Sequence, residues 1–548
     1  MIEKVYNKII QNKKNTLIFI TILTLISSIP TVFFPGVRSG HDTYFHLSRI
    51  CAIADNIKKM NFFKGVYSGY LNGYGYASGL FYPDIFLYIP ALLTVIGIKI
   101  TTSYKIFLVL INFLSILSIY ITIKGISKNN YASILGSIIY AFVSYRLVDM
   151  YQRSALGETL AFIFTPLIVY GIYEIIFEDK KKFYILTIGM SGLILSHVVS
   201  TYIIGIFLFI FCTINIKQLL KEKRIIYLII AAIITLLLTS YFTIPMIEQM
   251  LSQTFYYSEI SNISDFQLYK RTVPIYLMIL EIPSLRTVVY DKYWVPSGIG
   301  IIFIYMIYKK IKYKQIKDRF INQSFIISVV ALILITFTPI WKINIMKKVF
   351  YMIQFPWRIL IIPTLLLTIS GSILLSKIGE SKKVLKNTFF ISLISLMSMV
   401  CFSAMPNRIK EIGEYSLAYA EYLPIDVNRE YINNRGQIIT SNNKIKTNFE
   451  KTGTTMNISF KQNSKDTYLE LPLVYYKGYK ASINKINLET FKTENALLGI
   501  RINDIKEGTI NVQYRGTKIA NITKIISLIS FIIFISYVTK EAKHKNEK

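Results

Sequence analysis

The feature that most constrains this chain is a series of uninterrupted apolar runs. An α-helix needs about 20 residues to cross the hydrocarbon core of a bilayer. Runs of this kind recur from residues 15–35 to residues 521–539, and 53% of the 548 residues are hydrophobic. The pattern predicts an α-helical, polytopic membrane protein.

The apolar runs predict about 12–13 membrane spans. They lie at residues 15–35, 82–100, 103–123, 131–144, 158–177, 183–196, 197–214, 224–245, 295–308, 323–340, 358–376, 387–405 and 521–539. The run 82–100 begins near Asp84 and has Pro90 in its middle. We expect this stretch to be re-entrant or to lie on the membrane surface, because proline breaks the helical hydrogen-bond ladder.

The basic residues cluster in short loops between the runs. The chain has 62 Lys and Arg against 31 Asp and Glu, a formal net charge of +31. A nucleic-acid-binding protein would carry such charge as a surface stripe, whereas short basic loops between apolar runs follow the positive-inside rule. We therefore expect a plasma-membrane protein in contact with the lipid bilayer, with both termini in the cytoplasm and no nucleic-acid partner.

The polar segments define the expected domains. A transmembrane module over residues 1–405 carries two outer loops, at 36–81 and 246–294. Short alternating patterns within 406–520 predict a small antiparallel β domain outside the cell. A last helix at 521–539 and a basic cytoplasmic tail at 540–548 complete the chain.

A polar cluster directly follows the first apolar run. It contains Asp42, a candidate catalytic carboxylate, and three candidate substrate-binding residues, His41, His46 and Arg49. If this stretch is helical, Asp42, His46 and Arg49 share one face. Asp42 could accept a proton from an attacking hydroxyl, or hold a divalent ion such as Mg²⁺ or Mn²⁺ together with His46. The alternative is a helix cap or a surface carboxylate.

A second cluster, between two apolar runs, contains Arg146, Asp149, Arg153 and Glu158. The planar guanidinium of arginine matches phosphate oxygens, so these arginines could bind a lipid-linked phosphate. Glu158 opens the next run and could be a second catalytic carboxylate. The alternative is a polar loop with internal ion pairs.

Two further sites are candidates for substrate binding. His197 interrupts a long apolar stretch, where a lone histidine also serves as a donor between packed helices. Gln354, Trp357 and Arg358 precede another run and could bind phosphate or sugar, or anchor the chain at the interface. The sequence has no Walker or dinucleotide-binding motif. Any energy for a reaction must therefore arrive with the substrate.

Several short motifs carry a family resemblance. They are SGHDTYFHLSRI, YRLVDMYQRSALGE, LSHVVSTY, QFPWRIL, AEYLP and LPLVYYKGYKA. They resemble motifs of the YfhO-like bacterial membrane proteins, and the layout resembles the GT-C superfamily of polyprenyl-phosphate-sugar glycosyltransferases.

The resemblance implies an enzyme that moves a sugar from a polyprenyl-phosphate donor to an envelope acceptor, teichoic acid or another surface glycopolymer, outside the cell. It assigns Asp42 as the catalytic or metal-binding carboxylate and either Asp149 or Glu158 as a second acid. It also implies a partner enzyme that makes the lipid-linked sugar. Two alternatives remain open. One is a flippase for lipid-linked sugar, which predicts inverted repeats that we do not see in the sequence. The other is a non-catalytic envelope scaffold.

Overall fold

The computed structural model describes residues 12–257, 268–275 and 300–546, except for 413–414, 416–419, 444, 466 and 504. Most of the predicted outer loop 246–294 and the first residues of the predicted span 295–308 lie outside the described residues.

Helices dominate the described chain. The α-helices are Lys13–Ser27, Ile29–Val32, Thr43–Lys58, Ser78–Phe81, Tyr88–Val95, Ile100–Ser127, Asn130–Phe142, Ser144–Leu147, Leu156–Phe177, Phe183–Ile194, Val198–Ile214, Ile216–Leu220, Arg224–Ser252, Gly300–Lys312, Arg319–Thr336, Asn344–Phe350, Ile361–Lys377, Ser381–Ala404, Arg429–Arg435 and Lys518–Asn546. A π-helix covers Val148–Arg153. Short polar side chains begin several of the helices. Asn129 accepts the Ala132 N–H and Asp318 accepts the Ile321 N–H, which satisfies donors that the first turn leaves free.

The chain is a multi-pass membrane protein. Within the described residues, seven helices are long and apolar enough to cross a membrane, or eight if one bent pair counts as a single span. This is fewer than predicted, because several predicted runs fold into shorter helices. Phe183–Ile194 has 12 residues, about 18 Å at 1.5 Å per residue. The run 82–100 yields a short apolar helix, Ile85–Val95, and its expected re-entrant or surface position stays a prediction.

The chain forms two compact units. The first takes in residues 1–43, 104–235 and 264–411. One part of its core is a set of buried apolar side chains: Ile20, Leu23, Ile116, Ile134, Ile138, Ala141, Phe142 and Leu396. A two-stranded antiparallel ladder joins β1, Val37–Arg38, to β2, Arg408–Ile409. This ladder ties the residues before Asp42 to the chain that follows the helix Ser381–Ala404.

The second unit takes in residues 44–103, 236–263 and 412–548, and it contains two antiparallel sheets. Their strands are β3 Thr440–Ser441, β4 Lys446–Thr452, β5 Thr455–Lys461, β6 Tyr468–Val474, β7 Tyr479–Ile483, β8 Ile486–Leu488, β9 Thr490–Lys492, β10 Leu497–Arg501 and β11 Glu507–Tyr514. One sheet has the order β3-β6-β10-β9 and the other β4-β5-β11-β7-β8. The predicted β domain before the last helix is confirmed.

Alternating side chains explain the strand pattern. Along β5, Met456, Ile458 and Phe460 are buried, while Asn457 and Ser459 are exposed. Successive side chains of a strand point to opposite faces, so this alternation covers one face of the sheet and exposes the other.

The stretch from Ser144 to Glu158 is not the polar loop of the alternative interpretation. The chain there is helical, through Ser144–Leu147, the π-helix Val148–Arg153 and the start of Leu156–Phe177. All of these residues up to Glu158 are buried. Charged side chains can be buried when they pair with one another. In this segment Arg153 pairs with Asp149 and Glu158.

Candidate functional site

Three hydrogen bonds fix the Asp42 loop. The Asp42 N–H donates to the Arg153 carbonyl at 3.0 Å. Thr43 Oγ1 accepts the Gly40 N–H at 2.7 Å and lies 3.3 Å from the Arg38 carbonyl. The helix begins at Thr43, so Asp42 precedes it, and the expectation that Asp42 lies on a helical face is wrong. The two hydrogen bonds of Thr43 Oγ1, with Gly40 and Arg38, hold the turn that leads into the helix.

Gly40 allows the loop to approach a neighbouring backbone. A Cβ atom at this position would lie 2.5 Å from the Gln152 carbonyl oxygen and 2.6 Å from Ser154 Oγ. Both distances are shorter than real Cβ contacts, so a larger residue would push the loop away. Glycine is therefore needed for Asp42 to reach the Arg153 carbonyl.

Arg153 and Glu158 lie at the centre of a buried ion-pair cluster. Arg153 Nη1 lies 2.6 Å from Glu158 Oε2 and also bonds Asp149 Oδ1. Arg358 Nε lies 2.8 Å from Glu158 Oε1. The expected internal ion pairs are thus present, with two arginines set against two carboxylates. Whether these arginines also bind a substrate phosphate stays a prediction.

Aromatic and amide groups complete this cluster. The Arg153 guanidinium lies 4.3 Å from the centre of the Trp357 ring. Gln354 Oε1 accepts a hydrogen bond from Arg358 Nη1 at 2.6 Å. The motif Gln354, Trp357 and Arg358, which the sequence placed far from Arg153, therefore joins the same cluster in the first unit.

His41 and Tyr104 lie within electrostatic reach of the cluster's charges. The Asp42 charge interacts electrostatically with both Tyr104 and Arg153. Burial and, to a smaller extent, the positive charge of Arg153 together lower the pKa of His41 to about 4. His41 is consequently a neutral imidazole at physiological pH.

Two predicted binding residues have structural partners. Arg146 is fully buried, donates to the Ala141 carbonyl at 3.1 Å and bonds the Asn112 side chain. His197 caps the helix Val198–Ile214, because its Nδ1 accepts the Ser200 N–H at 3.2 Å. This bond lies within one helix, so the expected role of His197 as a donor between packed helices stays a prediction. Substrate roles for both residues stay predictions.

His46 and Arg49 belong to the second unit, and both are buried on the helix Thr43–Lys58. The Arg49 guanidinium forms an ion pair with Asp84 at 2.5 Å and lies 4.3 Å from the centre of the Tyr82 ring. His46 meets Tyr82 edge to face, with ring centres 5.9 Å apart. These contacts hold the residues inside their unit, and a direct substrate role for them stays a prediction.

Sequence reasoning missed a cationic pocket that also belongs to the first unit. Arg38, Lys105 and Arg408 line it together with Ser154. None of its described lining residues is an aspartate or glutamate. Burial lowers the pKa of both arginines, and the Arg38 charge lowers that of Arg408 further. We name these three cations the cation pocket.

The cations are fixed by backbone carbonyls. Arg408 Nε donates to the Pro35 carbonyl at 2.7 Å and Nη2 to the Gly36 carbonyl at 3.1 Å. Arg38 Nη1 donates to the Asn407 carbonyl at 3.1 Å. These bonds orient the side chains without cancelling their charges. A signal was present in the sequence, since basic residues at span ends assigned to the outside run against the positive-inside rule.

The donor set for a metal is incomplete. Within the described ranges, no group of three or more His, Cys, Asp or Glu is placed to hold a metal ion. The nearby carboxylates of Asp149 and Glu158 are paired with arginines. The predicted Asp42–His46 metal pair therefore stays an expectation.

Comparison with known proteins gives two similarities. No family model matches the chain. The chain is 23% identical over 262 residues to an uncharacterized protein of Lactococcus lactis subsp. cremoris, an alignment that covers 45% of this chain and 41% of the relative. The chain therefore spans less than half of that relative's length. Among solved structures, it is similar to the archaeal oligosaccharyltransferase AglB of Archaeoglobus fulgidus, solved with an inhibitory peptide and a dolichol-phosphate. That match has a TM-score of 0.37 and 10% identity, and it covers 72% of this chain and 57% of the other.

Proposed function

We propose that this protein is a membrane glycosyltransferase of the GT-C type, which moves a sugar from a polyprenyl-phosphate donor to an envelope glycopolymer such as teichoic acid. One observation carries the proposal. Asp42 sits in a fixed loop whose Thr43 hydroxyl contacts the Arg38 carbonyl, and Arg38 lines a pocket of three cations. The Asp42 loop and the three cations thus belong to one unit, which supports a base beside a site for a phosphate. The motifs that resemble YfhO-like proteins support the same function.

The chemistry needs one proton acceptor and one site for negative charge. Asp42 accepts the proton of the acceptor hydroxyl, whose oxygen forms a bond to the anomeric carbon of the donor sugar. The bond from that carbon to the phosphate oxygen breaks, and its electron pair leaves with the lipid phosphate. Arg38, Lys105 and Arg408 stabilise the charge that develops on this leaving group. Attack opposite to the leaving group inverts the anomeric centre.

In this proposal, the Arg153 cluster positions the base. Its carbonyl holds the Asp42 N–H, and its side chain is fixed by Glu158 and Asp149. A site keeps its geometry when its supporting groups are themselves locked by hydrogen bonds. Glu158 then acts through Arg153, as a positioning residue. Arg358 pairs with Glu158, and the Trp357 ring packs against the Arg153 guanidinium.

The proposed site faces the outside of the cell. The basic loops between the apolar runs support this orientation, because they place the opposite ends of those spans in the cytoplasm. We assign no step to a metal ion, because the described part of the chain has no group of three or more His, Cys, Asp or Glu placed to hold one. Adding a chelator and then Mg²⁺ or Mn²⁺ to the transfer reaction tests the expectation of a divalent cation.

The experiment uses purified protein in liposomes with synthetic polyprenyl-phosphate sugars and a glycerol-phosphate acceptor. Wild type is compared with Asp42→Asn, and with Asp426→Asn as a control at an exposed carboxylate of the β domain. Loss of a general base lowers the rate by roughly a hundredfold or more. We expect this loss for Asp42→Asn and none for the control.

Two results would contradict the proposal. One is undiminished transfer by a well-folded Asp42→Asn protein. The other is movement of the lipid-linked sugar between leaflets without any transfer, which would favour the flippase.

A further inference from the structure

A second cationic cavity lies in the other unit, where β11 leads into the helix Lys518–Asn546. Lys64, Arg515 and Lys524 line it. Its volume is about 70 Å³, several times the ~10–15 Å³ that one water molecule requires. The cavity is thus large enough for a group of several heavy atoms, and none of the roles proposed above uses it.

The charge of this cavity is positive. Asp84 is the one carboxylate among its described lining residues. That carboxylate is already neutralised, because Arg49 pairs with it at 2.5 Å and Tyr67 donates a hydrogen bond to it. The described lining of the cavity therefore offers no free counter-charge to the three cations.

The cations keep donors available for a ligand. Lys64 Nζ has no hydrogen-bond or ion-pair partner within the described residues, although Lys64 is half-buried. Lys524 Nζ donates to the Phe63 carbonyl at 3.1 Å, and Arg515 Nε donates to Gln513 Oε1 at 3.0 Å. Burial and the Arg515 charge both lower the pKa of Lys64. A bound anion would offset both effects.

The walls of the cavity are aromatic and apolar. Tyr88 and Tyr241 line it beside Phe242 and Pro245. Tyrosine offers a polar tip on an apolar ring. Such walls fit a charged group that carries carbon-rich substituents on both sides, rather than a free inorganic ion.

We propose that this cavity binds a phosphodiester. Lys64, Arg515 and Lys524 hold its non-bridging oxygens through charge-assisted hydrogen bonds, and the tyrosine wall contacts the flanking carbon groups. The phosphodiester comes either from a soluble glycerol-phosphate polymer or from the headgroup of an anionic phospholipid. The polymer source rests on the proposed function, in which that polymer is the acceptor, whereas phosphodiester binding does not.

The test uses full-length protein in nanodiscs and has two arms. In the first, glycerol-phosphate oligomer is titrated into protein in phosphatidylcholine nanodiscs, and binding is measured by calorimetry. In the second, nanodiscs contain phosphatidylglycerol, and the lipid that stays bound is measured by native mass spectrometry. Lys64→Gln and Arg515→Gln are compared with Lys480→Gln, an exposed lysine on β7 that does not line the cavity.

We expect each cavity variant to weaken binding about tenfold in one of the two arms, equivalent to about 1.4 kcal/mol, while Lys480→Gln leaves it unchanged. The affected arm identifies the source of the phosphodiester. Melting temperatures confirm folding, and the exposed Arg515 offers a variant with little structural risk.

Binding by both cavity variants at wild-type affinity in both arms would overturn the inference. Asp42→Asn separates the two proposals, because it should abolish transfer and leave phosphodiester binding intact. A protein that binds the phosphodiester through Lys64 but transfers no sugar would retain this inference and lose the proposed function.

Discussion

Arg153 Nη1 lies 2.6 Å from Glu158 Oε2, and the two side chains are 7% and 3% exposed. Arg153 also accepts the Asp42 N–H through its backbone carbonyl. Arg153 therefore joins a buried ion pair to the loop that carries the proposed base. Stability and activity should both depend on this link.

Removing the Glu158 charge should destabilise the protein. Glu158→Gln leaves Arg153 and Arg358 buried without their shared carboxylate, and breaking a buried pair on one side costs about 3–5 kcal/mol. We expect a loss of this size in the free energy of unfolding, measured by denaturant titration in detergent. Glu178→Gln changes an exposed carboxylate and should cost less than about 0.5 kcal/mol. Equal losses for the two variants would contradict the buried pairing.

Adding a methyl group at Gly40 should displace Asp42. Gly40→Ala would place its Cβ 2.5 Å from the Gln152 carbonyl oxygen, so the loop must move. A displacement of about 1 Å can lower a rate by roughly a hundredfold. The measurement is the transfer rate beside that of Gly205→Ala, whose Cβ meets nothing within 4 Å. An unchanged transfer rate in Gly40→Ala would show that the position of the loop does not affect catalysis.

Weakening the cation pocket should weaken donor binding. Arg38→Gln removes one charge from the pocket, and charge-assisted bonds to phosphate are roughly twice as strong as neutral ones. We expect the KM for the polyprenyl-phosphate sugar to rise about tenfold, equivalent to about 1.4 kcal/mol. The matched control is Lys99→Gln, which changes an exposed lysine. A donor KM equal to that of wild type would argue against the pocket as the phosphate site.

His41 should make stability fall in mild acid. Its folded-state pKa is lowered from 6.5 to about 4, so the unfolded chain takes up the proton first as the pH falls. The contribution of His41 to stability is therefore fully present above about pH 6.5 and is lost towards about pH 4. We expect the drop in melting temperature from pH 7.5 to pH 5 to be larger for wild type than for His41→Asn. Identical falls would show that His41 does not contribute.

The sequence alone predicted the features that depend on neighbouring residues. The apolar runs predicted a multi-pass helical membrane protein, since every backbone polar group in a bilayer must be satisfied within a helix. Period-two alternation predicted strands such as Thr455–Lys461. The number of spans differed from the prediction, because hydropathy does not reveal where a helix ends inside an apolar run, as at Phe183–Ile194.

Only the tertiary structure decided how charges are shared. The sequence showed Arg153 and Glu158 as neighbours, but it gave no indication that Arg358, 200 positions further along, pairs with the same carboxylate. It also left Arg38, Lys105 and Arg408 unrelated, although they line one pocket. Local patterns record the periodicity of the backbone and the preference of each residue for water or lipid. Which buried charge meets which partner depends on packing between distant segments, and that is set by the whole folded chain.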